Sequence, residues 1–87
     1  MKIKDGFILR TVADTHIVVA VGKQSKNFNK MIKLNDSAAF LWRLLENERT
    51  AQELAGELVA EYGIDMQQAL ADAEAFAAAL KEAGLLG

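Results

Sequence analysis

The chain has 87 residues, which is enough for one small domain and too few for two. It contains no cysteine, so the composition excludes a disulfide framework, a thiolate metal site and a cysteine nucleophile. The net charge is −2, but residues 1–34 carry +5 and residues 35–87 carry −7. The sequence therefore predicts one domain over residues 1–87, with a basic first part and an acidic second part.

The N-terminal residues Met1-Lys2-Ile3-Lys4-Asp5-Gly6 lack the apolar core of a signal peptide. The longest apolar runs are far shorter than a membrane-spanning segment. Together with the absence of cysteine, these features predict a cytoplasmic protein without a membrane partner.

The first third of the chain has the pattern of three β-strands. Phe7 to Val12 is predicted as the first strand, and Ala13-Asp14 as a tight turn. The β-branched run from Thr15 to Val21 is predicted as the second strand. A polar loop is expected from Gly22 to Asn27, because glycine, serine and asparagine favour turns. Alternating apolar side chains then predict a third strand from Phe28 to Leu34.

Two helices with capping residues follow the third strand. Asn35-Asp36-Ser37 supplies side chains that cap a helix predicted from about Asp36 to Glu46. Thr50 and Glu53 have the spacing of a capping box, which predicts the start of a second helix at Thr50. We expect this helix to end at Gly63, since glycine favours the left-handed C-terminal cap.

The third predicted helix is the longest. Asp65 and Gln68 again have capping-box spacing, and apolar residues recur at helical intervals as far as Gly84. We expect Leu85 and Leu86 to fold back on the last turn. Three strands followed by three helices predict an α+β fold, with the helices packed on one face of a short three-stranded antiparallel sheet.

No combination of residues predicts a catalytic, cofactor or metal site. His16 is the only histidine, and its β-branched surroundings favour a half-exposed strand residue. The carboxylates of the second helix recur at the spacing of a solvated helix surface. No glycine-rich phosphate loop and no nucleophile motif is found. The sequence therefore predicts a protein that is not an enzyme and binds no cofactor.

Three helices beside a small sheet also resemble a winged helix, so a DNA-binding transcription regulator is the alternative hypothesis. A recognition helix should present lysine or arginine to phosphates. The second helix instead offers Glu53, Glu57 and Glu61, and the third offers four carboxylates against Lys81. These helices would repel a duplex, and the sequence favours no nucleic-acid partner.

The remaining hypothesis is peptide binding at the edge of the sheet. An open strand edge lets an extended guest peptide add itself as a further strand. Lys30 and Lys33 on the third strand either protect this edge from unwanted pairing or attract an acidic guest, and the two readings are compatible. Exposed edges also pair between copies, which leaves a homodimer open.

The third helix is rich in alanine outside its core stripe. Small side chains on an exposed face would leave a shallow groove for a guest backbone. Alanine is also the best helix former, and from the residues alone this simpler explanation is favoured. The alanines concerned are Ala71, Ala75, Ala78 and Ala79.

Three ordered segments carry a resemblance to a known family. They are the run Phe28-Asn29-x-Met31-Ile32-x-Leu34-Asn35-x-x-Ala38-x-x-Leu41-Trp42-x-Leu44-Leu45, then Thr50-x-x-Glu53-Leu54, and finally Asp72-x-x-x-Phe76-x-x-x-Leu80-x-x-x-Gly84-Leu85-Leu86. This combination resembles the coenzyme PQQ synthesis protein D (PqqD) family, whose members are also called RiPP precursor peptide recognition elements. The similarity extends from Phe7 to Leu86.

The resemblance implies a winged-helix-like fold and a non-catalytic adaptor. Such an adaptor would bind the leader segment of a ribosomally made precursor peptide, here an acidic one. It would present that peptide to a modifying enzyme such as a radical S-adenosylmethionine protein. The leader would lie against the third strand and pack on the third helix. The implied peptide-binding residues are Asn29, Lys30, Met31, Ile32, Lys33, Leu34, Ala69, Asp72, Ala73, Phe76 and Leu80.

Overall fold

A β-hairpin forms the first part of the fold. In the computed structural model, which describes residues 1–26, 28 and 31–87, strands β1 (Phe7–Val12) and β2 (Thr15–Ala20) pair antiparallel. The predicted turn is confirmed, and Ala13 adopts a left-handed conformation with φ of 55° in the absence of a glycine. The hairpin brings Leu9 opposite Val18, so both side chains lie on the face that packs against the core.

The third strand is shorter than predicted. Strand β3 is Ile32–Leu34 and pairs antiparallel with β2, which gives the sheet order β1-β2-β3. The segment from 22 to 26 is a 3-10 helix rather than a loop. Phe28 follows that helix, and its backbone N–H donates a hydrogen bond to the Gln24 carbonyl at 3.0 Å. The predicted strand residues 29 and 30 and the loop residue 27 lie outside the described residues.

Phe28 takes part in the core instead of the sheet. Its ring meets the Phe7 ring edge-on, with the ring centroids 5.0 Å apart. Aromatic side chains bury a large area and contribute strongly to a core. The alternation from Phe28 to Leu34 therefore predicts a strand that begins too early, because it does not register the contact of Phe28 with Phe7.

Three helices follow, as predicted: α1 (Asp36–Leu44), α2 (Ala51–Tyr62) and α3 (Met66–Glu82). The predicted caps are confirmed at all three N-termini, where the side chains of Asn35, Thr50 and Asp65 accept backbone N–H bonds. Thr50 and Glu53 form the complete capping box. These short-range hydrogen bonds fix where each helix begins.

The end of α3 turns back on itself through Gly84. This glycine has φ of 78° and its N–H donates to the Lys81 carbonyl at 3.1 Å. The Leu85 N–H donates to the Leu80 carbonyl at 2.9 Å, which completes a Schellman motif. Leu80 and Leu85 are both buried, so the predicted fold-back of Leu85 is confirmed.

The core lies between one face of the sheet and the helices. α2 and α3 pack together closely, and Trp42 of α1 is fully buried. Apolar side chains from every strand and every α-helix contribute to the core or pack against it. The residues that form the buried core cluster are Ile3, Phe7, Val18, Leu41, Trp42, Leu45, Leu54, Ala55, Leu58, Ala69, Ala73, Leu80 and Leu85.

The two chain ends pair with each other, which the sequence did not predict. Ile3 and Leu86 form an antiparallel β-bridge, and the Lys4 N–H donates to the Leu85 carbonyl at 2.8 Å. The Ile3 N–H also donates to the Leu45 carbonyl at 2.8 Å. The N-terminal residues are thereby held between α1 and the end of α3.

Candidate functional site

The outer edge of β3 is open in the described part of the chain. β3 pairs with β2 on one side through the partners His16–Leu34, Ile17–Lys33 and Val18–Ile32. No other described strand pairs with β3. In an antiparallel sheet, alternate residues direct their N–H and C=O groups to opposite sides of the strand. The open side of β3 therefore presents backbone donors and acceptors to solvent.

A cleft of about 240 Å³ lies between β3 and α3. Ile32 and Leu34 form its strand side, and Phe76 and Leu80 form its helix side. The helix side of the cleft is shallow, because the small side chains of Ala79 and Ala83 lie one and two turns after Phe76. The full lining is Ile32, Lys33, Leu34, Asn35, Ala38, Phe76, Ala79, Leu80, Ala83 and Leu85.

A second cleft of about 350 Å³ adjoins the first. Asn35, Ala38 and Phe76 line both clefts, so Phe76 stands at their junction. The other lining residues of the second cleft are Ser37, Leu41, Leu58, Tyr62, Ile64 and Asp72. We refer to the two adjoining clefts together as the β3–α3 groove.

The groove carries few charges. Among the described residues, Lys33 is the only charged one that lines the first cleft, and Asp72 is the only one that lines the second. Ile32 and Leu34 pack against the core, so the side chain of Lys33 points to the opposite face of the sheet. The Asp72 carboxylate accepts a hydrogen bond from the Gln68 amide at 2.8 Å. Apolar contact and backbone pairing therefore dominate what this groove can offer a ligand.

The structure brings most of the predicted site residues together. Ile32, Lys33, Leu34, Phe76 and Leu80 line the first cleft, and Asp72 lines the second. Met31 is 73% exposed and lines neither.

Two of the predicted peptide-binding residues are buried, and two lie outside the residues that the structure describes. Ala69 and Ala73 are fully buried in the core, so they present no surface to a ligand in this structure. Asn29 and Lys30 lie outside the described residues. The helix side of the groove therefore begins at Asp72 and continues towards the C-terminus.

Sequence reasoning missed several residues of the groove. Ala38 lies in the first turn of α1 and lines both clefts. Four alanines of α3 raised the possibility of a shallow groove, although helix propensity was the favoured explanation, and only Ala79 of the four lines a described cleft. Its position three residues after Phe76 is the signal that separates it from Ala78. Tyr62 ends α2 and Ile64 follows it, and neither carried a sequence signal that could have placed it in the groove.

The imidazole ring of His16 contacts side chains of two other elements of the fold. Its Nδ1 atom lies 2.9 Å from the Thr11 hydroxyl on β1, and its Nε2 atom lies 2.8 Å from an Asp36 carboxylate oxygen on α1. These contacts connect the hairpin to the helix that follows β3. Among the described residues, no cluster of histidine and carboxylate side chains could hold a metal ion. No described helix is both long and apolar enough to cross a membrane.

The sequence matches the family described as "Coenzyme PQQ synthesis protein D (PqqD)" over residues 15–86. The chain belongs to the PqqD family. The match includes β2, β3 and all three helices, and therefore the whole β3–α3 groove. No curated protein matches the sequence.

Two solved structures share the fold. TbiB1 in complex with the TbiA(beta) leader peptide superposes with a TM-score of 0.79 at 24% identity, and the alignment covers 99% of this chain and 94% of TbiB1. Lasso peptide synthetase B1 complexed with the leader peptide gives a TM-score of 0.75 at 21% identity, covering 97% and 93% of the two chains. At these identities the similarity establishes the three-stranded sheet and its three helices.

Proposed function

We propose that this chain is a non-catalytic adaptor that binds the leader segment of a ribosomally synthesised precursor peptide. The leader adds an extended strand to the open edge of β3 and packs its side chains into the β3–α3 groove. The observation that carries the proposal is the open edge of β3 beside an apolar cleft whose other wall is α3. Membership of the PqqD family and the two leader-peptide complexes of the same fold support it.

The backbone of β3 supplies affinity that does not depend on the guest sequence. Main-chain hydrogen bonds form along an added strand, and pockets for alternate side chains select among guests. From Asp72 to Ala83 the groove follows about 17 Å of α3 at 1.5 Å per residue. An extended guest covers that length with about five residues.

The lining of the groove determines which guest side chains fit. Burial of an apolar guest side chain against Ile32, Phe76 and Leu80 contributes roughly 1.5–3 kcal/mol. The guest side chains that point the other way lie beside Lys33 on the opposite face of the sheet. A carboxylate there forms a cross-strand pair with Lys33, which favours an acidic guest. The preferred leader is therefore one that alternates apolar and acidic residues.

Presentation to a modifying enzyme completes the proposed role. The described residues offer an open strand edge and apolar clefts, which suit peptide binding. A radical S-adenosylmethionine protein is the enzyme class that the family resemblance suggests. In this proposal the whole chain acts as one cytoplasmic module, and the chemistry belongs to its partner.

The alternative of a DNA-binding regulator gains no support from the helix surfaces. Glu53, Glu57 and Glu61 of α2 are all exposed. On α3, Asp72, Glu74 and Glu82 are exposed, against Lys81 as the only basic residue of that helix. A surface of this sign repels the phosphate backbone.

The substitution Ala79→Trp tests the proposal, because it fills the first cleft without touching the buried core. Ala79 is exposed and lines the cleft. Ala78 is its exposed neighbour on the same helix and lines no described cleft. We expect Ala79→Trp to weaken binding of a fluorescein-labelled leader at least about 30-fold, equivalent to the loss of one buried apolar anchor. Ala78→Trp is the matched control and should retain the wild-type affinity.

Fluorescence anisotropy measures both affinities, and circular dichroism checks that both variants keep their helical content. Wild-type affinity in both variants would contradict a guest site in the β3–α3 groove. An equal loss in both variants, with the fold intact, would place the guest on another face of α3.

A further inference from the structure

The face of the sheet that points away from the helices is unusually apolar. The register places Ile8 opposite Val19, Arg10 opposite Ile17, and Val12 opposite Thr15 on this face. Lys33 of β3 lies on the other side of Ile17. We call this surface the outer face, and it consists of Ile8, Arg10, Val12, Thr15, Ile17, Val19 and Lys33.

The apolar side chains of the outer face do not contribute to the core of this chain. Ile8 is 36% exposed and Val12 is 68% exposed, whereas Ile17 and Val19 are half-buried. None of Ile8, Val12, Ile17 and Val19 packs against the core cluster, whereas Leu9, Ala20 and Ile32 of the core-facing side do. The solvated face of a two-layer antiparallel sheet normally carries polar side chains. Four β-branched apolar residues there indicate a surface that another protein covers.

The charge of the outer face limits what can cover it. Arg10 and Lys33 flank Ile17 in one cross-strand row, and the described strands place no carboxylate on this face. The complementary surface is therefore apolar at its centre and carries carboxylates around it. A second copy packed face to face would bring like charges together. An anionic membrane is less suited, because the face lacks the tryptophan, phenylalanine and leucine that membrane-binding surfaces use.

We propose that the outer face is the docking surface for the modifying enzyme, which covers it with an apolar patch flanked by acidic side chains. This identification of the partner rests on the proposed adaptor function. A guest strand added to β3 would extend the outer face beside Lys33 and pair an acidic side chain with it, which leaves Arg10 on the far side of Ile17 for an acidic group of the enzyme. An enzyme docked on Ile17 and Val19 would therefore contact the guest as well as the adaptor, and the two contacts together present the peptide.

Two substitutions on the outer face test the proposal. Arg10→Glu reverses one flanking charge, and Ile17→Glu places a carboxylate at the centre of the apolar patch. Met66→Glu on α3 is the control, since Met66 is 53% exposed and lies away from the sheet. The probe is a purified radical S-adenosylmethionine protein, which is the enzyme class that the family resemblance suggests. Its affinity for each adaptor variant is measured by surface plasmon resonance, first without guest peptide and then with it.

We expect both outer-face variants to lose at least about tenfold in enzyme affinity, because a carboxylate buried against apolar and acidic groups lacks a partner. Their affinity for the guest should stay within about twofold of the wild type. Met66→Glu should change neither quantity. Since Arg10→Glu is a surface change, it keeps the test valid if Ile17→Glu destabilises the sheet.

Four results would overturn the inference. Unchanged enzyme affinity in both outer-face variants, or no binding of the wild type to the enzyme, would exclude this docking surface. Dimerisation of the wild type that Ile17→Glu abolishes in sedimentation experiments would assign the face to a second copy. Binding to vesicles of anionic lipid that Arg10→Glu abolishes would assign it to a membrane. If the wild type binds no guest peptide, the adaptor function is contradicted instead. The enzyme affinity measured without guest peptide distinguishes this outcome from failure of the docking surface.

Discussion

The two edges of the sheet differ in what lies beside them. β1 is an edge strand of six residues, twice the length of β3. The hollow at the start of β1 is lined by Lys2, Lys4, Asp5 and Glu46 as well as apolar residues. The cleft beside β3 is apolar apart from Lys33 and Asn35 and has α3 as its far wall. The longer edge thus has charged surroundings and the shorter edge has an apolar cleft.

An open strand edge by itself offers a guest strand little affinity. Hydrogen bonds to an added strand contribute only modestly, because they replace bonds to water. Guest side chains that become buried beside the edge supply most of the remaining affinity. Among the described clefts, the one beside β3 offers such a burial site and the charged hollow beside β1 does not, so we place the guest at β3.

The largest expected effect is on the free energy of unfolding, which we compare for Leu80 beside β3 and Ile8 on β1. Leu80 beside β3 is 3% exposed and packs on Leu85, so we expect Leu80→Ala to lower the free energy of unfolding by about 2–5 kcal/mol. Ile8→Ala on β1 should cost about 1 kcal/mol or less, because that side chain lies outside the core. Urea unfolding followed by the fluorescence of the buried Trp42 measures both. Equal costs would contradict the view that Leu80 packs in the core whereas Ile8 lies outside it.

A smaller effect is expected on guest affinity, which we compare for Lys33 and Arg10, the two cations that flank Ile17. Lys33→Glu on β3 should weaken binding of an acidic leader by about 2–5-fold and make the affinity less sensitive to salt, as expected for one exposed ion pair. Arg10→Glu on β1 is the matched change at the other edge and should leave guest affinity within about twofold. Titration calorimetry at low and high salt measures both. A larger loss for Arg10→Glu than for Lys33→Glu would place the guest at β1.

The helices could be predicted from the sequence because their ends depend on contacts over three or four residues. Thr50 with Glu53, and Asp65 with the Gln68 N–H, form short-range hydrogen bonds that any chain with this spacing can make. Gly84 likewise sets the end of α3 through its left-handed conformation. These elements needed no knowledge of distant residues.

The start of β3 and the far end of the groove could not be predicted in this way. Phe28 packs on Phe7, which lies 21 residues earlier in the chain, and no local pattern reports that contact. The pairing of Ile3 with Leu86 joins opposite ends of the sequence. Ala69 and Ala73 were assigned to the groove through the family resemblance, and the tight packing of α2 on α3 buries them. Each of these features depends on tertiary contacts.

The most direct test of the account is the position of the guest backbone. Isotope-filtered NOE spectra of labelled protein with an unlabelled leader peptide report contacts between the two backbones. The account predicts NOEs from guest backbone protons to those of Ile32–Leu34, together with NOEs from guest side chains to Phe76 and Ala79. NOEs confined to β1, or to the exposed face of α2, would contradict it.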